Sequence, residues 1–458
     1  MAENSWDEPD RHLWSQLPEG VLLRILAFLP LESLMQCRRV CRKWLAMFKW
    51  PAFLKIRQPE KSWFVFSYLG SLFLPNMAHM QAFCYNPSLN RWNSMSFSFL
   101  PGNTGIVAAA AGGLLLCVGI DKESEIISMQ PHSTSRVSIS KVPWNWKDLF
   151  VYNPMKAGSW EKLPERRISP GGSSPSPITI MGLIDVDTSV GLYKVVVATH
   201  HGTEIYDSRE CTWRFVDCRP PDEPKISHVN TWTISYKGCL VTAEIQRGEP
   251  YRMADGHLRV VGHAGYLWLF NPAAELWSSV RLPDDFVDEY IHHLQIEECE
   301  GRLLLVGILG PWKDVLQNGR VHVWEHIGDG DVFSRNGFWK ELCSRSVQEL
   351  RDTCIRTGSQ ECARFIAAAT SSDLLCFAMN RKSLRVPTLG IIDSESVVLL
   401  IMFMYSVSQN TWCLVEERLG KFVSFLDDRS KDRYIGSPAA KSLRFQPRLD
   451  AAVTYTSI

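Results

Sequence analysis

Histidine and cysteine are the residues of this chain best suited to chemistry, and their spacing argues against it. Among the twelve histidines, three groupings could ligate a metal: His200-His201, His292-His293, and His322 with His326. Neighbouring residues in a strand point to opposite faces, so each doublet offers one ligand to any one site. None has a cysteine or carboxylate at ligand spacing, so neither a metal nor a cofactor is expected. The thirteen cysteines lie at 37, 41, 84, 117, 211, 218, 239, 299, 343, 354, 362, 376 and 413. The count is odd, no C-x-x-C pair occurs, and neither a signal peptide nor an Asn-x-Ser/Thr acceptor site is present. These features point to a reducing compartment, cytoplasm or nucleus, in which most cysteines serve as small buried apolar residues. Cys211 and Cys218, read as flanking a hairpin turn, belong with the packed ones. No G-x-S-x-G elbow, phosphate-cradling Gly-rich loop with Lys, or H-E-x-x-H helix occurs, and no cysteine stands in a recognisable nucleophile setting. The expected catalytic residues are none.

Charge removes further classes. Lys plus Arg and Asp plus Glu are 49 each, so no nucleic acid or anionic membrane is expected as the main partner. The apolar runs 105–120 and 397–405 fall short of the roughly 20 residues a spanning helix needs, and both read as buried strands.

The elements come next. In residues 16–48, apolar side chains recur at Val21, Leu22, Ile25, Leu26 and Leu29, then at Leu34, Cys37, Val40, Cys41, Trp44, Leu45 and Phe48. Steps of three and four are helical. Pro18 and Glu19 suit a helix start, whereas Pro30 and Pro51 read as terminators. A unit of about 45 residues buries too little core to stand alone. It also has too many apolar positions for one stripe per helix, so part of the set must face another protein.

The ordered string Leu17-Pro18, Leu22, Ile25-Leu26, Leu29-Pro30, Leu34, Val40-Cys41 and Trp44 resembles the F-box. The resemblance implies a three-helix module over 15–56, after a polar tail at 1–14, that docks a Skp1-family adaptor and through it a cullin and a RING protein. Those ten residues would form or support the adaptor-binding surface.

From Lys61 onward the apolar period becomes strand-like, and a unit repeats within the expected propeller domain, 57–458. An aromatic, often Asn-Pro, then a polar turn and a tryptophan recur as Tyr85…Trp92, Tyr152…Trp160, Tyr206…Trp213, Phe270…Trp277 and Tyr405…Trp412. A sixth copy, Trp324…Trp339, is stretched by an insertion. Gly-led apolar strands precede them, as at Gly112-Gly113, Gly191, Gly238 and Gly301. The reading is a strand, a tight turn and a second strand opening on tryptophan, which fills the gap to the next sheet. Tryptophan spacings of 53 to 73 residues match four strands plus a loop.

This half resembles a kelch-type β-propeller, although its units are longer than the roughly 50 residues of kelch. Six copies are visible; a seventh could lie in 121–150 or 343–372. The segment ending Phe445-Gln446-Pro447-Arg448 would supply a closing strand or pack on the ring. Ser169–Pro177 reads as a solvated loop. Sialidase-like propellers need S-x-D-x-G-x-x-W turns, and Ser406–Trp412 lacks the Asp and Gly.

The whole resembles the plant F-box/kelch-repeat group that includes F-box only protein 6-like members, mainly β with a small helical N-terminal module. That resemblance implies a non-catalytic substrate receptor of an SCF ubiquitin ligase, holding an unknown target on loops such as 121–150 and 326–338. A non-degradative adaptor complex, or a propeller enzyme with an appended helical module, are the rivals.

Overall fold

The computed structural model describes residues 16–48, 50–57, 62–68, 81–89, 91–96, 104–120, 144–155, 160–166, 180–187, 192–199, 202–218, 233–247, 250–252, 258–260, 263–283, 290–310, 318–328, 337–356, 362–371, 373–381, 396–415, 422–424, 440–445 and 448.

Four short helices come first: α1 (Glu19–Phe28), α2 (Leu31–Cys37), α3 (Arg42–Met47) and α4 (Pro51–Ile56). The three-helix expectation misread Pro51. Proline opens α4 in its first turn, where the missing N–H would have no partner in any case. Pro30 behaves as expected: Leu29 before it is extended, with ψ 142°, because proline crowds the α region of its predecessor.

Six antiparallel sheets of four main strands follow. From innermost to outermost strand, sheet one is 440–445, 63–68, 81–86 and 91–96; sheet two is 104–111, 114–120, 144–152 and 160–162. Sheet three is 180–187, 192–199, 202–207 and 212–216; sheet four is 233–236, 239–247, 263–271 and 276–281. Sheet five is 290–299, 302–310, 320–327 and 338–346. Sheet six is 362–371, 374–381, 396–406 and 411–415, with a short extra strand, 422–424, paired to the start of its third. Each innermost strand touches the innermost strand of the next sheet, and the sixth touches the first. This closed circuit is consistent with a six-bladed β-propeller.

Both ends of the chain close it. Residues 440–445 pair with 63–68, from Trp63↔Phe445 to Tyr68↔Ala440. Of the two stretches that could have hidden a seventh unit, 343–372 holds the end of sheet five, helix α5 (Val347–Arg356) and the inner strand of sheet six. Residues 144–150 belong to sheet two, and 121–143 lie outside the described residues.

The repeat signature is a cross-strand pair. Tyr85↔Trp92, Tyr152↔Trp160, Tyr206↔Trp213, Phe270↔Trp277 and Tyr405↔Trp412 stand directly opposite each other on the third and fourth strands of their sheets. Ring centroids are 5.4 Å apart in Tyr206–Trp213, 5.0 Å in Phe270–Trp277 and 5.1 Å in Tyr405–Trp412, in the range of favourable aromatic pairs.

The sixth copy was misaligned. Trp324 opposes Glu341, and Trp339 opposes His326. The connection 328–337 is longer than the other turns, and a register shift between Val323 and Trp324 moves the pairing.

The turns follow one design. Asn86, Asn153, Asp207 and Asn271 each accept the amide N–H two residues on, at 3.0, 2.8, 2.9 and 2.9 Å, which starts the turn as Asx side chains do. Three of the four Gly-led strands of the sequence reading begin at two-residue hairpins, and Gly191 lies outside the described residues. Lys237-Gly238 and Glu300-Gly301 are positive in φ at both positions, as type I′ turns require.

Tryptophan joins neighbouring sheets as expected. The indole N–H of Trp213 reaches Pro164 O (2.8 Å), Trp277 reaches Thr203 Oγ1 (2.9 Å), Trp339 reaches Arg281 O (3.0 Å) and Trp412 reaches Cys343 Sγ (3.2 Å). Each bond runs back to the preceding sheet. The apolar core is accordingly split into wedges between sheets two and three, three and four, four and five, and five and six.

Antiparallel order fixes two unequal faces. First-to-second and third-to-fourth connections leave at one face, and all others at the opposite one. On the first face lie 112–113, 237–238, 300–301, 208–211, 272–275 and 407–410; at the second face end the strands that flank 121–143, 163–179, 217–232, 248–262, 347–361, 382–395 and 416–439. Neighbouring sheets share these ends. The Tyr236 hydroxyl bonds Gly301 O at the first face, and Thr233 bonds Met181 O at the second. Strand 63–68 starts at the first face, so the helices before it enter there. The two connections expected to hold a target therefore part company, since the strands flanking 328–337 end on the helical side and those flanking 121–143 end on the other.

Candidate docking interface

Helices α1–α4 do not form a separate bead. Leu22, Leu23, Leu26, Leu31, Leu34, Met47, Phe48 and Phe53 share one core with Trp63, Val65 and Cys84 of sheet one and with Val107, Leu115, Cys117, Phe150 and Tyr152 of sheet two. This answers the size problem posed by a 45-residue helical unit: the ring supplies the missing core. Polar ties border the contact. Asn86 Nδ2 donates to Glu32 Oε1 at 2.8 Å, and Arg38 donates to Met155 O at 2.8 Å. Arg57 donates to Leu29 O and Ala27 O at 2.9 and 3.3 Å, satisfying carbonyls that the end of α1 leaves open.

Of the ten residues singled out by sequence, Leu22, Leu26 and Leu34 are buried in this core. Leu17, Leu29 and Trp44 pack against it while partly exposed. Ile25 is half-buried, and Pro18 and Cys41 are exposed. Val40 is 63 % exposed. Cys41 is the N-cap of α3, its Sγ accepting the Trp44 amide at 3.5 Å.

The outward apolar stripe also contains a residue that sequence reading missed. Phe28 is 80 % exposed and Val21 45 %; Val21, Ile25 and Phe28 follow the i, i+4, i+7 steps of one helix face. The same spacing was legible in the sequence, but Phe28 lies between two string positions, Leu26 and Leu29. Lys43 Nζ meets Glu19 Oε1 at 2.9 Å and brings the start of α3, with Val40, beside the start of α1. An exposed Phe and Val on a helix whose opposite side is packed form the candidate surface for another protein.

The residues considered for chemistry are placed otherwise. His322 stacks on Trp324 at 5.0 Å and meets Glu341 at 2.7 Å, while His326 packs edge-on against Trp339. His292 sits within a β-bulge flanked by Ile291 and His293, and His200 and His201 lie outside the described residues. Among the described residues no three His, Cys, Asp or Glu side chains gather as a metal site, and no disulfide forms. Burial pushes the Cys117 and Cys299 thiols up to about 12 and raises Cys84 as well, the reverse of what a thiolate nucleophile requires. Cys211 sits inside a turn with φ 53°, and Cys218 lies past the far end of strand 212–216, so the two do not flank one hairpin. Among the described residues, no helix is long and apolar enough to cross a membrane.

Comparison with known proteins agrees with the helical part. The family profile described as F-box domain matches residues 14–56. F-box only protein 6 of Arabidopsis thaliana is 24 % identical over 208 residues, 44 % of this chain. The chain spans 37 % of the length of that curated relative. Among solved structures, YjhT overlaps 69 % of this chain and 85 % of its own at 11 % identity and a TM-score of 0.36. An alpha-L-arabinofuranosidase from Lactobacillus brevis overlaps 70 % and 97 % at 11 % identity and 0.33. Overlaps this loose carry no argument about activity. Residues 14–56 match the F-box domain, and the described part of that span has a packed inner face and a bare outer stripe, so the chain carries an F-box domain.

Proposed function

We propose that this chain is the substrate-recognition subunit of an SCF-type (Skp1–cullin–F-box) E3 ubiquitin ligase, acting in the cytoplasm or nucleus. The observation that carries the reading is the F-box domain at 14–56 whose stripe of Val21, Phe28 and Val40 is left bare. Pro18, Val21, Ile25, Phe28 and Val40 dock the Skp1-family adaptor; Leu22, Leu26 and Leu34 hold the module's shape from beneath. The adaptor recruits cullin and RING protein, and the kelch-type propeller holds a target protein.

The chain itself breaks and makes no bond. It raises the effective concentration of a target lysine near a ubiquitin-charged conjugating enzyme, and proximity of this kind replaces a bimolecular encounter by a tethered one. Most strand ends that lead into the longer connections lie on the face away from the helices, and that face is our choice for the target.

The test is co-purification of the full chain with a Skp1-family adaptor, comparing wild type with Phe28→Asp and with the pair Leu17→Ala plus Pro18→Ala. Desolvating a carboxylate in an apolar contact costs several kcal/mol, so Phe28→Asp should lose the complex while circular dichroism stays unchanged. A wild-type chain that folds and captures no adaptor would sink the reading. Cullin missing from an otherwise intact adaptor complex would instead favour a non-degradative assembly.

A further inference from the structure

The charge of the whole chain conceals a local excess. Residues 15–57 hold eight basic side chains (Arg24, Arg38, Arg39, Arg42, Lys43, Lys49, Lys55 and Arg57) against two acidic ones, Glu19 and Glu32, in a chain of zero net charge. Both carboxylates are already engaged, Glu19 by Lys43 at 2.9 Å and Glu32 by Asn86 at 2.8 Å. Arg38 and Arg57 turn their guanidinium groups onto backbone carbonyls. Arg24, Arg39 and Arg42 are exposed, and among the described residues no carboxylate pairs with them.

Their positions border the apolar stripe. Arg24 stands three residues after Val21 and four before Phe28 on α1, so it lies on their flank. Arg39 and Arg42 bracket Val40 and Cys41 at the start of α3, which the Glu19–Lys43 pair holds against the start of α1.

We propose that the partner groove receiving this stripe carries an acidic rim, and that Arg24, Arg39 and Arg42 steer it into register. This rests on the adaptor-docking reading above. Complementary charge at a rim acts on the encounter rate and on partner choice more than on the lifetime of the complex. A protein groove is favoured over nucleic acid or an anionic lipid surface because the cations alternate with exposed Phe and Val rather than forming an unbroken track. The chain's own residues 1–14 carry four carboxylates, at Glu3, Asp7, Glu8 and Asp10, and are the competing occupant to exclude.

The experiment measures association and dissociation rates of the full chain with a Skp1-family adaptor at rising salt. The variants are R24E/R39E/R42E, Arg209→Glu as a single charge-reversal control on an exposed turn of sheet three, and a chain lacking residues 1–10. The triple reversal should slow association about tenfold or more at low ionic strength, change dissociation far less, and lose its effect near 0.5 M salt, where the Debye length falls below roughly 5 Å. Arg209→Glu and the shortened chain should behave as wild type.

Equal association rates for wild type and triple variant, with Phe28→Asp still abolishing the complex, would overturn the steering proposal and leave adaptor docking standing. A wild-type chain that binds no adaptor would overturn both. Faster association of the shortened chain would assign the cations to the chain's own tail. Salt-sensitive capture by single-stranded RNA or phosphatidylserine vesicles, indifferent to Phe28→Asp, would assign them to a polyanion.

Discussion

Asp373 illustrates how single residues secure this molecule. Its carboxylate accepts the hydroxyls of Ser406 and Ser408, each at 2.6 Å, and the Ser408 amide at 2.7 Å, tying the two turns of sheet six together. Burial works to raise its pKa, but those donors, with the Arg302 charge, outweigh it and hold the group below its ordinary 3.8. A carboxyl depressed in the fold stabilises above its ordinary value, and the stability is lost as pH falls through the folded pKa. Asp373→Asn should lower the urea midpoint at pH 7, with the gap to wild type closing as pH drops below 3.8. Parallel pH curves for the two proteins would refute it. At this scale the sequence was partly legible. The seven-residue offset of Tyr206…Trp213 is what a four-residue turn imposes on directly opposed partners, so the pairing could be read without coordinates. Trp324…Trp339 could not, because a bulge and a long connection each shift register and neither has a residue signature. Phe28 escaped for another reason: core and surface stripes of α1 lie side by side, and only packing tells them apart.

Among elements, proline was the main source of error and glycine the main guide. Pro51 has the same covalent chemistry as Pro30, yet it opens a helix that Trp50, extended at ψ 133°, leads into. Proline only forbids continuation from before, and does not forbid a beginning. Gly238 and Gly301 mark hairpins in the sequence because few other residues accept φ of 75° and 78°. Strand order then sets the two faces, a property no single segment carries. If the target is held where the longer connections emerge, hydrogen exchange on a captured complex should slow at 217–218, 282 and 318–320. Turns 237–238, 272–275 and 300–301 should be unaffected. Protection confined to those turns would move the target to the helical side.

For the whole molecule, the core is a circuit of wedges, each formed by neighbours only. Stability in such an array is a sum of unit and interface contributions, and the closing strand joins two units at once. Deleting residues 440–458 removes the inner strand of sheet one, with its six-residue ladder to 63–68. It also loosens the sheet from which Trp63 and Val65 support the F-box. The shortened chain should melt at lower temperature and hold the adaptor more weakly, although residues 14–56 are untouched. Unchanged melting and affinity would mean that the helices need no ring beneath them. The shared core was hidden from the sequence because its members, Leu26 and Cys117 among them, are far apart along the chain and meet only across the ring. Size alone hinted that the helices needed support; it could not say from where.

Sheet one contains the first strand and the last, and this has a bearing on synthesis. A ribosome makes the F-box first, but the platform under it is incomplete until residues 440–445 are out. Through most of translation the docking module therefore rests on an unfinished base. A message cut short anywhere upstream yields F-box helices that are made but poorly supported. The arrangement couples support of the F-box helices to synthesis of residues 440–445, so that a well-propped docking module is one whose chain has been read through its closing strand.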